Sequence, residues 1–488
     1  MAKFKRSSKP PQAKHQSHKT GSQFDKRSRL DSHNPDRQKT THAKFPLVAT
    51  IADKVSQLAS LLDARSGFRL SIIMAGMMLA DDRRVAAAWF ASAGVQDDWD
   101  CFYDCLIAVG QRAQSLSLSL TTMLLMKFAP GADGHLIIAA DDSPTARYGK
   151  HVEGAGVHHN PTPGPAGSDW LYGHNWVVLA LLVQHPLWGV IAFPLFSMLY
   201  VRAIDVPALA EKYGWEFQTK HQLAVEMVSR LVQQVRWLKL ECQIWFVADG
   251  AYAARPLIQP LMEQGVVMFS RLRRDAVLHD LPPQRKPCHA GRLRIYGTNR
   301  ISLSKRAGQN RGWETIVYRC RGGEVTRQYK TFLATSRLTG GVIRVVIVKF
   351  DNGGWATYFC TKAEVSVRDI LETIADRWVI EEFFHDTKEV WGAGQQQVRN
   401  VWSNIGCWHL NMWMYTLVEM CSWESSQEEL SDRSDRPWDN PDRRPSHADK
   451  RRSISHKMLQ NQFNVVLPDT PEKQQLQSLI DHLIRLAA

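Results

Sequence analysis

The chain has 488 residues, of which 44% are hydrophobic, enough for a large buried core and for two or three domains, and this excludes a wholly disordered protein. Its formal net charge of +13 and pI near 9.4 point to an anionic partner. The eight cysteines, Cys101, Cys105, Cys242, Cys288, Cys320, Cys360, Cys407 and Cys421, form no C-x-x-C pair and no Cys/His cluster at zinc spacing, and no apolar run of signal-peptide length opens the chain. Free thiols in a reducing compartment are expected, not a secreted disulfide scaffold.

The basicity is segregated. Residues 1–45 carry twelve Lys/Arg against three acids, and residues 271–330 carry fifteen against four, so the remainder of the chain is net acidic. One sign concentrated in two segments suits a phosphate backbone, because each Lys or Arg contact releases counterions. Residues 1–45, rich in Lys, Ser, Gln and His, are expected to be a disordered basic tail. Residues 46–130 show apolar positions at helical spacing and are expected to form a helical domain that binds DNA or merely packs on a catalytic core.

After Pro130 the pattern turns to strands. Leu136–Ala140 is a short apolar run ending in Asp141-Asp142. Trp176–Val201 has no acid, Lys or Arg and is long enough to span a bilayer. Gln184, His185-Pro186 and Gly189 interrupt it, so the reading is two buried strands joined by a turn, with no membrane partner. Residues 220–240 predict an amphipathic helix with Leu223, Met227, Leu231, Val235 and Leu238 on one face. A second buried strand, Ile244–Ala248, ends in Asp249-Gly250, and after it come a helix near 253–264 and a strand at Val266–Phe269.

That order predicts an α/β fold, a ribonuclease-H-like mixed sheet whose first part covers residues 131–269. Residues 270–360 interrupt it with short β-rich runs (RLRIYG, ETIVYRC, VIRVVIVKF, WATYFC) and a basic cluster that begins at Arg271, Arg273 and Arg274, read as an inserted domain that contacts DNA. The core resumes over residues 361–422 with a helix from Val367 to Lys388, started by Ser366 and Asp369. Its apolar stripe, Ile370, Ile374 and Trp378, continues to Glu381, which places that carboxylate facing the sheet, where it needs a cation or an ion pair with Arg377. Residues 423–455 are expected to be a flexible linker, and residues 456–488 a short helical segment.

The spacing Arg377-x3-Glu381-x6-Lys388, with Asp-x-Ser at 141–143, Asp249-Gly250-Ala251-Tyr252 and a β-rich insertion before the glutamate, resembles the Y-R-E-K group of bacterial insertion-sequence DDE transposases over residues 131 to 420. Ile374 stands where that signature has its tyrosine. The resemblance implies catalytic, metal-binding Asp141, Asp249 and Glu381, with Arg377 and Lys388 on phosphates. It implies two Mg²⁺ ions, replaceable by Mn²⁺, about 3.5–4 Å apart. It further implies cleavage of element ends, joining to target double-stranded DNA, a homodimer in the active complex and a place in the bacterial cytoplasm at the nucleoid. A metal-dependent nuclease or resolvase of the same fold, or an inactive DNA-binding descendant, are the alternatives.

Two adjacent pairs leave choices. Asp141 and Asp142 fall on opposite faces of a strand, and Asp-x-Ser favours Asp141. Glu381 and Glu382 lie about 100° apart on a helix, and the stripe favours Glu381. His158, His159 and His174 around a Pro/Gly loop are read as loop histidines ahead of a metal site, and Trp391 as core ahead of a base-stacking group; Arg147, Tyr148 and Lys150 follow the first Asp and are considered as DNA contacts, on a signal that is not specific.

Overall fold

The computed structural model describes residues 46–81, 83–131, 134–160, 167–284, 292–431, 438–440, 442–466, 476–477, 479–480 and 483–484. The basic tail expected over residues 1–45 lies outside them.

Five helices come first: α1 (Ala49–Ala59), α2 (Ala64–Leu79), α3 (Ala86–Ser92), α4 (Trp99–Gln111) and α5 (Ala113–Phe128). Asp63 starts α2 by accepting from the amides of Arg65 and Ser66, which satisfies two of the donors a helix start leaves open. Most of α2 is buried, including Leu70, Ile72, Ile73, Met74, Met77 and Met78, as expected of a helix that is apolar on most sides.

The sheet then forms from β1 (His135–Ala146), β2 (Gly156–His159), β3 (Trp170–His185) and β4 (Gly189–Tyr200), after which come α6 (Val206–Tyr213), α7 (Lys220–Trp237), β5 (Gln243–Ala248), α8 (Arg255–Glu263) and β6 (Val267–Leu272). β3 runs antiparallel to β1, and β4 antiparallel to β3. β5 is parallel to β1 and β6 parallel to β5, and their crossovers are supplied by α7 and α8. The spatial order β4-β3-β1-β5-β6 is the ribonuclease-H-like arrangement expected from the sequence. The bilayer-length apolar stretch is the β3–β4 hairpin, with Trp176–Leu181 and Phe193–Phe196 buried in the core. No helix among the described residues is long and apolar enough to cross a membrane.

The insertion comprises β7 (Leu278–His279), β8 (Arg300–Ile301), α9 (Leu303–Gly308), β9 (Glu314–Cys320), β10 (Gly323–Ser336), β11 (Gly341–Lys349) and β12 (Trp355–Cys360). It is not a separate sheet: β12 pairs antiparallel with β6, so core and insertion share one twelve-stranded sheet among the described residues. Arg292–Gly297, expected as a strand, has no strand structure. β10 has no counterpart among the expected strands, because much of its first half is solvent-facing and polar and so lacks an apolar pattern.

The last part holds α10 (Val367–Asp376), α11 (Val379–Glu389), α12 (Val401–Cys421), α13 (Gln427–Leu430) and α14 (His447–Val466). The single helix expected over 367–388 is two helices. At the junction the amides of Trp378, Ile380 and Glu381 bond three residues back, to Ala375, Arg377 and Trp378. This tighter turn shifts the buried face. α11 buries Ile380, Phe383, Phe384 and Thr387, while Trp378 is 37% exposed. Glu381 therefore sits at the rim, its side chain 37% exposed, and does not face the sheet as an unbroken stripe predicts.

α12 is buried from Val401 to Met420 except for half-buried Trp402. It meets α4 where two glycines let the backbones touch: a Cβ on Gly110 would lie 1.8 Å from the Trp402 carbonyl oxygen, and one on Gly406 2.2 Å from that of Leu106. The expected linker over 423–455 ends in packed structure. Lys450 and His447, in the first turn of α14, bond the buried Glu419 of α12. Arg451 donates to the carbonyls of Met78 and Ala80 at the end of α2.

Candidate active site at the ends of two parallel strands

The β1–β5 register runs from His135 opposite Gln243 to Ala140 opposite Ala248. Asp141 and Asp249 are the next residues, so they stand side by side where β5 ends, while β1 runs on past Asp141 to Ala146, still paired with β3. Parallel neighbours in register point the same way, which brings the two carboxylates to one face of the rim.

Asp141 Oδ1 accepts from the Asp142 amide at 2.8 Å, and Oδ2 accepts from Arg377 Nη1 at 2.8 Å. Burial pushes its carboxyl up to about 6; Arg377 opposes this, and the charges of Asp249 and Asp142 add to the rise. Asp249 Oδ1 closes a turn on the amides of Ala251 and Tyr252, at 2.8 and 3.2 Å. Glu381, in the first turn of α11, accepts from Arg377 Nη2 at 3.0 Å. One guanidinium thus spans Asp141 and Glu381.

Asp142 belongs to a different set. It pairs with Lys220 at 2.6 Å, at the start of α7, and accepts from the Tyr252 hydroxyl at 3.1 Å. Burial and the nearby Asp142, Asp141 and Asp249 raise the Tyr252 phenol well above its ordinary range. Glu382 pairs with Arg444 at 2.7 Å, and Arg444 also donates to the Trp188 carbonyl in the β3–β4 turn. The alternatives Asp142 and Glu382 each have a cation of their own, while Asp141 and Glu381 share one.

Among the described residues no three His, Cys, Asp or Glu side chains are grouped closely enough to hold a metal ion. At this site the Arg377 guanidinium lies between Asp141 and Glu381 and bonds both. The donor set nonetheless suits a hard divalent cation. It is all carboxylate oxygen. Asp141 holds its charge at an energetic cost that the arginine offsets only in part.

Of the basic residues expected near DNA, Arg271 is exposed on β6, and its backbone lies beside Gly250, next to Asp249. Arg273 is exposed and pairs with Asp275 at 3.2 Å. Arg274 lies over the Trp355 ring at 4.8 Å. Lys388, in the last turn of α11, has its amine pushed down to about 8 by burial, with Glu389 opposing.

Other expectations are corrected or placed. Arg147 is no DNA contact: it is buried and donates to His174 Nδ1 and to the carbonyls of Gly394 and Gln396. Tyr148 remains 96% exposed. His174 is fully buried and bonded to that arginine and to the Glu153 carbonyl. Part of the Pro/Gly loop, residues 161–166, lies outside the described residues. Trp391 is core, its indole N–H donating to His447 Nε2 at 2.7 Å. Sequence reasoning misses Lys220 beside Asp142 and Arg444 beside Glu382; both are brought in by tertiary contacts, and no spacing signals them.

Strand order, with two carboxylates just beyond the β1–β5 pairing, places the chain in the ribonuclease-H-like class. Residues 221–417 match the family model for the transposase DDE domain. The matched segment contains Asp249, Arg377, Glu381 and Lys388, whereas Asp141 precedes it and joins the site through β1–β5 pairing. A similar solved structure is the piggyBac transposase synaptic complex with hairpin DNA, at 10% identity and a TM-score of 0.33, covering 79% of this chain. This chain spans 60% of the length of that one. No curated protein matches.

Proposed function

We propose that the chain is a transposase that cleaves DNA at the ends of a mobile element and joins the freed 3′-hydroxyls to target DNA, with Asp141, Asp249 and Glu381 as the carboxylates of a two-cation site. The observation that carries this reading is the placement of Asp141 and Asp249 one position beyond the last paired residues of adjacent parallel strands, with Glu381 tied to Asp141 through a single guanidinium.

These carboxylates would hold Mg²⁺, with Mn²⁺ able to substitute. When bound, the cations supply neutralisation of the scissile phosphate and an activated water or 3′-hydroxyl. The chain's own groups do the remaining work. Asp249 keeps Oδ1 on backbone amides, which fixes the carboxylate at the strand end. Arg271, exposed beside the Asp249 turn, would take a phosphate of double-stranded DNA, and Lys388, on the helix that carries Glu381, would supply a second positive group. A homodimer that pairs two element ends, and action on the bacterial nucleoid, belong to the same reading.

The test uses the inverted repeats flanking the gene as substrate. With Mg²⁺, the protein should cleave the intact end and join a pre-cleaved end to a target plasmid. Cleavage without joining would favour the nuclease or resolvase reading, and DNA binding without either reaction would favour an inactive descendant.

A further inference from the structure

We infer that Arg377 is a stand-in cation for the carboxylate site, held by Asp141 and Glu381 in the DNA-free chain and transferred to a DNA phosphate on binding, so that divalent cations enter after DNA. The inference rests on the proposed two-cation site.

Four observations carry it. Arg377 uses one Nη on each carboxylate, at 2.8 Å on Asp141 and 3.0 Å on Glu381, a use of the planar fork that a lysine cannot reproduce. The guanidinium takes one oxygen of each carboxylate, Asp141 Oδ2 and Glu381 Oε1, and its positive charge between them opposes a second cation at the same carboxylates. Arg377 is also held differently from Arg147 and Arg319. Arg147 is locked under backbone carbonyls, and Arg319 is committed to Asp376 at 2.8 Å. The hydrogen-bond partners of the Arg377 guanidinium, among the described residues, are the two site carboxylates and no backbone group. Finally, its side chain is 19% exposed and springs from the tightened turn between α10 and α11, so it reaches solvent without unfolding a helix.

Charge sets the order of events. Three carboxylates against one guanidinium leave the site negative overall, yet the arginine satisfies two of them, Asp141 and Glu381. A phosphate offers Arg377 an equally strong charge-assisted fork contact. Once the guanidinium turns to it, Asp141 and Glu381 lose their partner just when the scissile phosphate is present. Arg377 acts on the reaction by positioning and releasing these carboxylates.

The test is direct cation uptake by the full-length protein, read from the electron paramagnetic resonance signal of unbound Mn²⁺, with and without a short random-sequence duplex. Without DNA, Arg377→Met should take up Mn²⁺ at least about tenfold more tightly than the natural chain, a 1.4 kcal/mol equivalent. Arg377→Lys, which cannot fork across both acids, should fall between them, and it carries the comparison if the methionine variant does not fold by circular dichroism. Adding Asp249→Asn to either variant should remove the gain. The duplex should raise uptake by the natural chain and leave Arg377→Met nearly unchanged. Equal, Asp249-dependent uptake by all proteins without DNA overturns the stand-in role and leaves the two-cation reading intact. No Asp249-dependent uptake by any protein, with or without duplex, overturns both.

Discussion

Asp141 and Asp249 lie 108 positions apart in the sequence and stand side by side in the sheet, each one residue past the Ala140–Ala248 pair. Their proximity is a result of parallel pairing, which needs the long crossover through the β3–β4 hairpin and α7. The arrangement has a cost, visible at Asp141, whose carboxyl is raised by burial first, with the Asp249 charge contributing.

That cost predicts a trade between stability and activity. An acid whose pKa is about 6 in the folded chain and 3.8 outside it carries no penalty below pH 3.8, loses stability as pH rises from 3.8 to 6, and carries the full penalty above. The full penalty is on the order of 3 kcal/mol. Asp141→Asn should therefore unfold at higher urea than the natural chain at pH 7.5, by about 1–3 kcal/mol, and show little difference at pH 4. The same variant should be inactive in cleavage. A destabilised Asp141→Asn at pH 7.5 would show that the Arg377 pair outweighs the burial.

Glu381 and Glu382 differ in partner and so should differ in effect. Glu381→Gln removes a charge from the site and should lower cleavage and joining by orders of magnitude, with DNA binding retained. Glu382→Gln breaks an exposed pair with Arg444, and exposed pairs contribute at most about 1 kcal/mol, so activity should stay within a few-fold. The reversed pattern in a plasmid-cleavage assay would identify Glu382 as the ligand.

The parts of this site that are legible in the sequence are those carried by local pattern. Asp141 and Asp249 each follow a buried apolar run, although β1 continues past Asp141 to Ala146 where its sequence turns polar, and the strand order follows from strands and helices that are individually clear. Spacing singles out Glu381 but not its environment: the tightened turn at Arg377–Trp378 changes the helix phase, and nothing in residues 374–381 announces it. The joining of the insertion to β6 through β12 is equally hidden, since an edge pairing depends on the partner strand and not on the strand's own residues. His447 and Lys450 sit in a polar, charged stretch that reads as a linker, yet both are buried because Glu419 lies opposite them.

The basic insertion gives a test that separates DNA contacts from structural arginines. Replacing Arg271, Arg273 and Arg274 together by Ala removes exposed charge, of which Arg271 lies beside the Asp249 turn, and should weaken binding to a random duplex and flatten its dependence on salt. Arg319→Ala should leave that salt slope unchanged and instead lower stability, because Asp376 is buried and loses its partner. A salt slope unaltered by the triple change would remove these residues from the interface.

The α4–α12 crossing should tolerate no side chain at either glycine. A Cβ at Gly110 meets backbone oxygen at 1.8 Å, and one at Gly406 at 2.2 Å, and neither obstacle is a side chain that can turn aside. Gly110→Ala and Gly406→Ala should each cost at least about 1–3 kcal/mol, the usual range for overpacking, even though Ala favours a helix intrinsically. Since both glycines serve the same contact, the double variant should cost less than the two singles combined. Urea titration of the three variants checks both statements.

The buried cluster that fastens α14 to α12 makes the most specific pH prediction. Burial alone would raise the Glu419 carboxyl, but the Lys450 charge and the hydrogen bond from His447 overcome it and hold the group at about 2. The geometry agrees: Lys450 Nζ and His447 Nδ1 each lie 2.6 Å from a different carboxylate oxygen. The Trp391 indole N–H can only donate, so His447 Nε2 accepts from it and Nδ1–H is left to face Glu419. A carboxylate depressed from 4.5 to about 2 contributes stability that is complete above pH 4.5 and lost as pH falls through 2, on the order of 3 kcal/mol in all. Between pH 5 and pH 3 the natural chain should therefore lose more stability than Glu419→Gln, whose side chain does not titrate. At neutral pH, Glu419→Gln should itself be less stable by roughly 3–5 kcal/mol, because it leaves the buried Lys450 ammonium unpaired. Adding Lys450→Met removes that stranded charge and should recover much of the loss. A double variant no more stable than Glu419→Gln would mean that Lys450 reaches water once its partner is gone, and that the cluster holds α14 by packing against Tyr415 and Trp188 instead.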